Sequence, residues 1–400
     1  MTSILVVAER YWPDGGGGEL ATHLIVGVLS KEFDVTVITG TKNPQKFPQV
    51  NYVYEPLLSI REKPLLWLNT IKLVRTEKFK KLVKESDIIY VPRFTFPVIP
   101  FAKKLSKKVV VHLHDYIPVS YTAVVLAPYE EHKRRIARDD IFLECMKGIK
   151  YCLGVVLFWW LPKLVRKWIT QADKIICVSK RQANIVADQI PELKEKMEVI
   201  YNPLPPKLLN NEPRKELDDT PTFLYVGGDS YVKGFHILLQ TMKLLGRQGV
   251  KARFILTNRY SSKSISALRQ LNEKYRNLEI NVVGRIEYNE LLKLHQKTWA
   301  LIFPSIWEEP LPYAVVEAVA LGTIPIAAKV GGIPEIIRST YTEKMLFTPK
   351  SVKDLTSKMS DLINMEKDLL KDMSEKLGRS ALSRFCRKSG VDIIRVFTDL

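Results

Sequence analysis

Two glutamates eight positions apart, Glu309 and Glu317, are the residues best placed by type and spacing to bind a ligand. An apolar strand is predicted to end at Phe303, and Pro304 and Ser305 interrupt it, so Glu309 is predicted on a loop. Glu317 lies among alanines and valines in a predicted helix. A buried carboxylate is costly without a partner, so Glu317 needs paired hydroxyl groups or a cation.

The helix that carries Glu317 is predicted from Tyr313 to Leu321, directly after Pro312, a residue that suits the first position of a helix. Its start leaves backbone donors, from Leu311 and from Tyr313 onward, at the positive end of the helix dipole, which is an anion site. Two acidic side chains around such a site suit a nucleotide diphosphate with a sugar at one end and a ribose at the other. The alternative is that Glu317 pairs with a basic core residue and Glu309 is solvated.

The elements before this stretch predict an α/β protein in two halves. With 400 residues the chain is long enough for two domains, and 46% hydrophobic with 26% charged residues is typical of a soluble globular protein. The formal charge of +18 favours an anionic partner: a membrane surface, a phosphorylated substrate or nucleic acid. Short apolar runs alternate with helical periodicity throughout, and the N-terminal run is predicted to be a strand and not a signal peptide.

The four cysteines are Cys145, Cys152, Cys177 and Cys386. They form no C-x-x-C pair and no ladder of close spacings, so a zinc site and a disulfide framework are both disfavoured. This pattern fits a reducing, cytoplasmic setting.

The stretch around the two glutamates resembles the signature of the retaining GT-B glycosyltransferases of family 4. The matching residues are Pro304, Ser305, Glu309, Glu317, Ala318, Ala320, Gly322, Pro325, Gly331, Gly332 and Glu335. The resemblance implies that Glu309 hydrogen-bonds the donor sugar and that Glu317 binds the ribose hydroxyls. Where the family often has Gly-Phe-Gly, this chain has Pro310, Leu311 and Pro312, so backbone contacts to the donor are expected to be fewer or shifted.

A second match to the family covers Gly227, Lys233 and Gly234, after a predicted strand from Thr222 to Val226. A lysine at the entry to a helix can neutralise a diphosphate, so Lys233 is predicted to bind the donor and to act in catalysis. Gly228 stands where the family has an arginine. Lys233 or another base, such as Arg259 or Arg285, must then carry more of the phosphate charge.

Four glycines, Gly15 to Gly18, join the first strand to a helix predicted from Glu19 to Ser30. Such a loop lets a phosphate or sugar approach the backbone. NAD is disfavoured because G-x-G-x-x-G is absent and no acid ends the second strand. The loop resembles the family's loop facing the donor diphosphate and the acceptor, with Gly17 and Gly18 best matched; the alternative is a flexible surface loop.

His114 follows a strand predicted from Val109 to Leu113, at the sheet edge where ligands of parallel sheets lie. His112 and His114 are expected to point to opposite sides of the strand. The family commonly has a histidine here, close to the reacting sugar and phosphate, so His114 is the predicted catalytic histidine.

Residues 129–168 are a possible membrane-facing segment. Basic residues precede an apolar run from Leu153 to Leu161, and Lys163, Arg166, Lys167 and Trp168 follow it. The run is too short to span a bilayer, but tryptophans beside basic residues are typical of a segment that lies at an anionic lipid surface. The alternative is a core helix with a solvated basic end.

These observations predict the following domain organisation: residues 1–205 are an N-terminal acceptor-side domain, 206–221 a linker, 222–385 a donor-binding domain, and 386–400 a C-terminal helix that crosses back. The stretch from Pro203 to Pro221, which contains this linker, is rich in proline, at positions 203, 205, 206, 213 and 221.

The predicted protein is a GT-B glycosyltransferase with two Rossmann-like doubly wound domains facing across a cleft. It would transfer a sugar with retention from a nucleotide-diphosphate sugar to an acceptor glycan, with a lipid-linked glycan as one such acceptor. No cofactor or metal is expected, since no D-x-D triad lies on a suitable loop. The alternatives are a sugar-nucleotide epimerase or phosphorylase of the same architecture, and a basic membrane- or nucleic-acid-binding protein. The last leaves both glutamates unexplained and lacks aromatics interleaved with its basic clusters, so nucleic acid is not an expected partner.

Overall fold

The computed structural model describes residues 1–209, 215–338, 340–385 and 388–400, and leaves the side chains of 209 and 381–388 undescribed. Part of the predicted linker, residues 210–214 with Pro213, lies outside the described residues, as does Cys386.

Strands and helices alternate along most of the chain. The strands are β1 Ser3–Ala8, β2 Asp34–Thr39, β3 Asn51–Tyr54, β4 Ile88–Val91, β5 Lys108–Leu113, β6 Lys174–Cys177, β7 Met197–Val199, β8 Thr222–Tyr225, β9 Ala252–Thr257, β10 Leu278–Gly284, β11 Ala300–Phe303, β12 Ile324–Ala328 and β13 Leu346–Phe347. The α-helices are α1 Gly17–Leu29, α2 Lys63–Leu73, α3 Glu77–Glu85, α4 Val98–Lys104, α5 Tyr129–His132, α6 Ile136–Cys145, α7 Ile149–Phe158, α8 Leu161–Ile169, α9 Lys180–Gln189, α10 Pro206–Leu209, α11 Phe235–Arg247, α12 Ser262–Lys274, α13 Tyr288–Lys297, α14 Tyr313–Ala320, α15 Ile333–Ile337, α16 Val352–Ile363, α17 Lys367–Phe385 and α18 Lys388–Thr398.

The chain forms two compact units. Unit 1 contains Met1–Val125, Lys133–Pro205 and Phe385–Leu400, and unit 2 contains Leu126–His132 and Pro206–Arg384. The domain bounds given from the sequence stay a prediction.

Each unit is built on one parallel sheet. In unit 1 seven strands lie in the order β3-β2-β1-β4-β5-β6-β7, and in unit 2 six strands lie in the order β10-β9-β8-β11-β12-β13. The central strands are continuous apolar runs because helices cover both faces of such a sheet. In β1, residues 4–8 are all buried, and so is the whole of β11. This arrangement confirms the predicted α/β fold class.

The last helix belongs to the core of unit 1. Ile393, Val396 and Phe397 of α18 are buried in one cluster with residues of β1, β2, β4 and α1. The Phe397 ring meets that of Tyr90 edge-on, with centroids 5.3 Å apart.

Three features differ from the sequence-based expectation. The strands β3 and β13 were not predicted, because the first is a short half-exposed edge strand and the second has two residues. The helix expected from Val352 to Leu377 is divided into α16 and α17. A disulfide joins Cys145 and Cys152, whose Cα atoms lie 4.1 Å apart. The turn between α6 and α7 brings these two cysteines together, so the cysteine pattern does not support a reducing setting.

No helix in the described part of the chain is long and apolar enough to cross a membrane.

Candidate active site

The order of strands in unit 2 reverses direction between β8 and β11. Ligands of open parallel sheets bind beyond the carboxyl ends of the strands at such a point, because the following loops diverge there. The loop after β8 carries Gly227 to Gly234, and the loop after β11 carries Pro304 to Pro312. The two matched stretches of sequence are therefore brought to one edge of the same sheet.

Lys233 and Glu309 form an ion pair at this edge. The Lys233 Nζ lies 2.7 Å from Glu309 Oε1, and Ser305 Oγ donates to the same oxygen at 2.7 Å. Glu309 is 3% exposed, whereas a third of the Lys233 side chain is open to solvent. The ammonium group also lies 5.5 Å and 5.4 Å from the ring centres of Phe303 and Trp307, a distance that allows cation–π attraction. The pair thus combines a buried acceptor with an accessible cation.

Backbone contact between these loops depends on two glycines with positive φ. A Cβ on Gly234 (φ +75°) would lie 1.7 Å from the Pro304 carbonyl oxygen, and one on Gly331 (φ +54°) would lie 1.8 Å from that of Glu309. The amide of Gly332 donates to the Glu309 carbonyl at 2.8 Å. The glycines of the motif therefore let neighbouring backbone pack directly against the loop and hold Glu309 in place.

Glu308 has a structural role that the sequence analysis did not assign. It is 2% exposed, and its two carboxylate oxygens accept hydrogen bonds from the amides of Gly331 and Tyr129, each at 2.8 Å. Its side chain ties the glycine turn and the segment containing α5 to the loop after β11. The adjacent position of two acids in a motif is the only sequence signal for this role.

Glu317 lies within α14 and is 4% exposed. Tyr288, at the start of α13, donates its hydroxyl to Glu317 Oε1 at 2.8 Å. Burial raises the pKa of Glu317 to about 7, and the Tyr288 hydrogen bond opposes part of that increase in pKa. The partner is thus a tyrosine and not the basic core residue considered as the alternative. Tyr288 itself was not predicted from the sequence.

The start of α14 offers fewer backbone donors than expected. The amides of Val315 and Val316 both donate to the Pro312 carbonyl, at 3.0 and 3.2 Å. The expected anion site therefore reduces to the first residues, around Leu311 and Tyr313. The Leu311 side chain is buried and that of Tyr313 is half-buried, so contacts from these two positions to a ligand would be made by backbone.

Gly228 occupies the position of the family arginine in a conformation that excludes a side chain. Its φ is +61°, and a Cβ would lie 2.8 Å from the Arg259 carbonyl oxygen. The segment after β9 is fixed beside it, because the Asp229 carboxylate accepts from the Ser261 amide at 2.7 Å and from Ser264 Oγ at 2.9 Å. The Arg259 side chain is exposed. Its backbone lies next to Gly228, the position from which the family arginine extends. Arg285 is exposed as well, but it follows the neighbouring strand β10, where the Gly284 carbonyl accepts from the Asn258 amide at 2.7 Å.

In unit 1, His112 and His114 lie on the same side of the sheet. Their rings stack with centroids 4.2 Å apart, which contradicts the expectation that they point to opposite sides. Residues two apart share a face of a strand, so the expectation was wrong in its geometry. Burial, with His112 and Arg93 nearby, holds the pKa of His114 well below its usual value. The His114 imidazole is therefore neutral, and in the described chain its Nε2 is buried without a hydrogen-bond partner.

Gly17 and Gly18 begin helix α1 and are not part of the loop that precedes it. A Cβ on Gly18 would lie 2.7 Å from Arg93 Nη1. Arg93 follows β4 and pairs with Glu19 at 2.6 Å and with Glu9 at 3.2 Å. Glu19 also accepts from the Gly16 amide at 2.8 Å, so this buried cluster shapes the glycine loop.

Arg93 and Glu9 were missed by the sequence analysis. Each follows a strand at the point where the order of unit 1 reverses, between β1 and β4. The rule that selected His114 would have found both.

The structure thus brings Lys233 and Glu309 into contact and places Glu317 against Tyr288. It places His114, Gly17 and Gly18 in the other unit. No group of three or more His, Cys, Asp or Glu residues in the described ranges is arranged to hold a metal ion.

Two family models match successive parts of the chain. The model "Glycosyltransferase Family 4" matches residues 14–208, and "Glycosyl transferases group 1" matches residues 209–381.

Relatives of known name are similar over part of their length. The gpi3 subunit of phosphatidylinositol N-acetylglucosaminyltransferase from Schizosaccharomyces pombe is 27% identical over 203 residues, which are 50% of this chain and 43% of that protein. The sulfoquinovosyl transferase SQD2 of Arabidopsis thaliana is 27% identical over 160 residues, 40% of this chain and 28% of that protein. The matched stretch therefore spans less than half of each of these relatives.

Solved structures are similar over the whole chain. A sucrose-phosphate synthase from Thermosynechococcus elongatus superposes with a TM-score of 0.73 at 16% identity, covering 100% of this chain and 99% of that one. Anabaena HepE in complex with UDP-glucose gives a TM-score of 0.67 at 18% identity, covering 100% of both chains. At such identities the likeness shows the fold alone.

Proposed function

The chain belongs to the group 1 glycosyl transferases of family 4, and on that premise we propose that it transfers a sugar from a nucleotide-diphosphate sugar to an acceptor hydroxyl with retention of configuration. The observation that carries this proposal is the contact of Lys233 with Glu309, at 2.7 Å, where the strand order of unit 2 reverses. A buried acceptor beside an accessible cation suits a ligand that has hydroxyl groups next to phosphates.

In the proposed complex, Lys233 turns part of its hydrogen bonding from Glu309 to the donor diphosphate. Glu309 accepts hydrogen bonds from hydroxyls of the sugar, and Ser305 keeps its carboxylate in position. As the bond from the anomeric carbon to the diphosphate breaks, negative charge grows on the leaving group. A fixed ammonium stabilises that charge more than it stabilises the bound donor, which is how it lowers the barrier.

Glu317 would bind the ribose of the donor. Ribose hydroxyls donate to a carboxylate, so they would supply hydrogen bonds to a group whose burial raises its pKa to about 7. Binding in this form requires the ionised carboxylate. The backbone at Leu311 and Tyr313 would contribute donors to the diphosphate at the helix start.

Arg259 is the residue we propose as a replacement for the missing family arginine. It begins beside Gly228, and the Asp229 contacts to Ser261 and Ser264 hold its segment there. Arg285 follows β10, which lies one strand farther from β8 than β9 does. A guanidinium group on this segment can donate to two phosphate oxygens at once in a fixed geometry, which a lysine cannot do.

On the acceptor side, we propose that unit 1 contributes His114, Gly17 and Gly18. Because His114 is neutral, it can exchange hydrogen bonds with hydroxyl groups but supplies no positive charge for phosphate. We propose a lipid-linked acceptor and work at an anionic membrane surface. The name of the gpi3 relative, which includes phosphatidylinositol, supports a lipid acceptor.

A transfer assay tests the proposal. A panel of UDP- and GDP-sugars is incubated with the protein and a membrane lipid extract, and the product is examined by NMR for its anomeric configuration. One donor should give a glycosylated lipid with the configuration of the donor, and Glu309→Gln should abolish it.

The same assay separates the other functions. An isomerised sugar nucleotide or a free sugar phosphate from donor alone would identify an epimerase or a phosphorylase. Product of inverted configuration would refute the retaining mechanism.

A further inference from the structure

Helix α7 presents its apolar side to solvent. Its exposed residues Ile149, Leu153, Val156 and Leu157, with Trp160 beyond its end, follow the spacing of one helical face. Leu153 and Leu157 are 57% and 66% exposed, whereas Val155 is the only residue of α7 that is buried. A helix of a globular protein normally buries its large apolar residues against the core, which most of those on α7 do not do.

Helix α8 behaves as a core helix, whereas α7 does not. In α8, which follows directly, Leu161, Val165 and Ile169 are buried, as expected for a helix packed on the sheet. Ile141, Phe142 and Met146 near the end of α6 are exposed and extend the apolar surface. Large apolar residues exposed on two consecutive helices are a mark of an interaction surface.

This surface belongs to a fixed part of unit 1. Asp140 of α6 is buried, and its carboxylate accepts from Ser120 Oγ and Thr122 Oγ1, each at 2.6 Å. The disulfide between Cys145 and Cys152 closes the turn to α7. The apolar hairpin, defined as residues 136–160, is therefore anchored to unit 1 while most of its large apolar side chains are exposed to solvent.

Basic residues surround the apolar hairpin. The exposed charged side chains between residues 133 and 167 are Lys133, Arg134, Arg135, Arg138, Lys147, Lys150, Lys163 and Lys167. The three acids of this stretch, Asp139, Asp140 and Glu144, are buried or half-buried. Lys163 Nζ lies 4.7 Å above the ring of Trp159, which places a cation and an indole together at the edge of the surface.

We propose that the apolar hairpin inserts into the interface of an anionic lipid bilayer. Apolar side chains would enter the region of the acyl boundary, tryptophans would lie at the level of the headgroups, and the surrounding lysines and arginines would contact lipid phosphates. The positive charge selects this occupant over a second copy of the chain, because two such surfaces would repel each other. The inference deepens the proposed function, on which it rests for the lipid-linked acceptor.

Vesicle sedimentation tests the inference. The intact protein is mixed with vesicles of phosphatidylcholine containing phosphatidylglycerol, or of phosphatidylcholine alone, at low and high salt. The double variant Leu153→Ser/Leu157→Ser removes two exposed anchors without touching the core. Leu369→Ser, a leucine 49% exposed on α17, is the matched control.

We expect the wild-type protein and the Leu369→Ser control to sediment with the anionic vesicles, less so at high salt. The double variant should lose about tenfold or more in partition. Failure of the wild-type protein to bind anionic vesicles, or equal sedimentation of the double variant, would overturn the inference. The inference would also be overturned if vesicle binding is absent and the double substitution instead dissociates a homodimer or another protein complex.

Nucleotide-sugar binding, measured by calorimetry on the same samples, separates this inference from the proposed function. If the wild-type protein binds the donor but does not bind vesicles, the membrane inference is refuted and the proposed function is not. Vesicle binding without any donor binding refutes the proposed transfer and leaves the surface supported.

Discussion

Donor binding should depend on pH through one carboxyl group, Glu317. Burial raises its pKa from an ordinary 4.5 to about 7, and ribose hydroxyls need the ionised form as acceptor. At about pH 6 roughly a tenth of the group is ionised, and at about pH 8 roughly nine tenths is. The dissociation constant of the donor should therefore fall about tenfold between these two conditions.

Tyr288 sets where this transition lies. Its hydrogen bond at 2.8 Å stabilises the ionised carboxylate, so Tyr288→Phe should raise the pKa of Glu317 further. A hydrogen bond to a charged group contributes about 1.5–3 kcal/mol, which corresponds to about one to two pH units. The midpoint of donor affinity should move upward by that amount.

The assay is calorimetric titration of a nucleotide sugar across the pH range. Glu317→Gln is the control, because any pH dependence that it retains comes from the ligand phosphates. Identical pH profiles for wild type and Glu317→Gln would refute the assignment of Glu317.

The same pKa predicts an opposite effect on stability. Between pH 4.5 and about 7 the folded protein holds a proton on Glu317 that the unfolded chain has released, so stability falls as pH rises through this window. The shift corresponds to about 3 kcal/mol, and above about pH 7 the Glu317→Gln variant should be more stable than wild type by up to that amount. A lower Tm for this variant at about pH 8 would contradict the reasoning.

Other predictions concern the loops around the ion pair. Glu309→Gln preserves side-chain size but removes the charge that Lys233 contacts, so turnover should fall about 100-fold or more with little change in Tm; turnover near wild type would refute the role of Glu309. Gly331→Ala should lower Tm far more than Gly249→Ala, because both glycines have positive φ but only the first meets backbone, at 1.8 Å; equal Tm shifts would refute the steric argument. Arg259→Ala should weaken donor binding about tenfold while Arg285→Ala leaves it unchanged, and the reverse order would refute the choice of Arg259.

The fold was predictable from sequence because its strands are buried on both faces. Continuous apolar runs such as Ser3–Ala8 and Asp34–Thr39 gave the strand bounds that the structure has. The edge strand β3 gave no such signal, since its residues are exposed or half-buried. The disulfide depends on a turn between two helices that the charge pattern of the segment did not reveal.

The candidate site was predictable as far as a motif fixes it. Lys233 and Glu309 were chosen by matched sequence, and the structure adds that they touch. Tyr288 lies 29 positions before Glu317, and no local pattern links the two. For the histidine pair the sequence was sufficient. Residues 112 and 114 are two apart on a strand and therefore share a face, contrary to the expectation that they point to opposite sides.

The most direct measurement is the affinity of UDP- and GDP-sugars for the wild-type protein and for Lys233→Ala, determined by isothermal titration. At least one nucleotide sugar should bind the wild-type protein, and the variant should bind it about tenfold or more weakly, because a charge-assisted contact to the diphosphate is lost. Equal affinity for both proteins, or no binding of any nucleotide sugar to the wild type, would contradict the claim that Lys233 and Glu309 form the donor site.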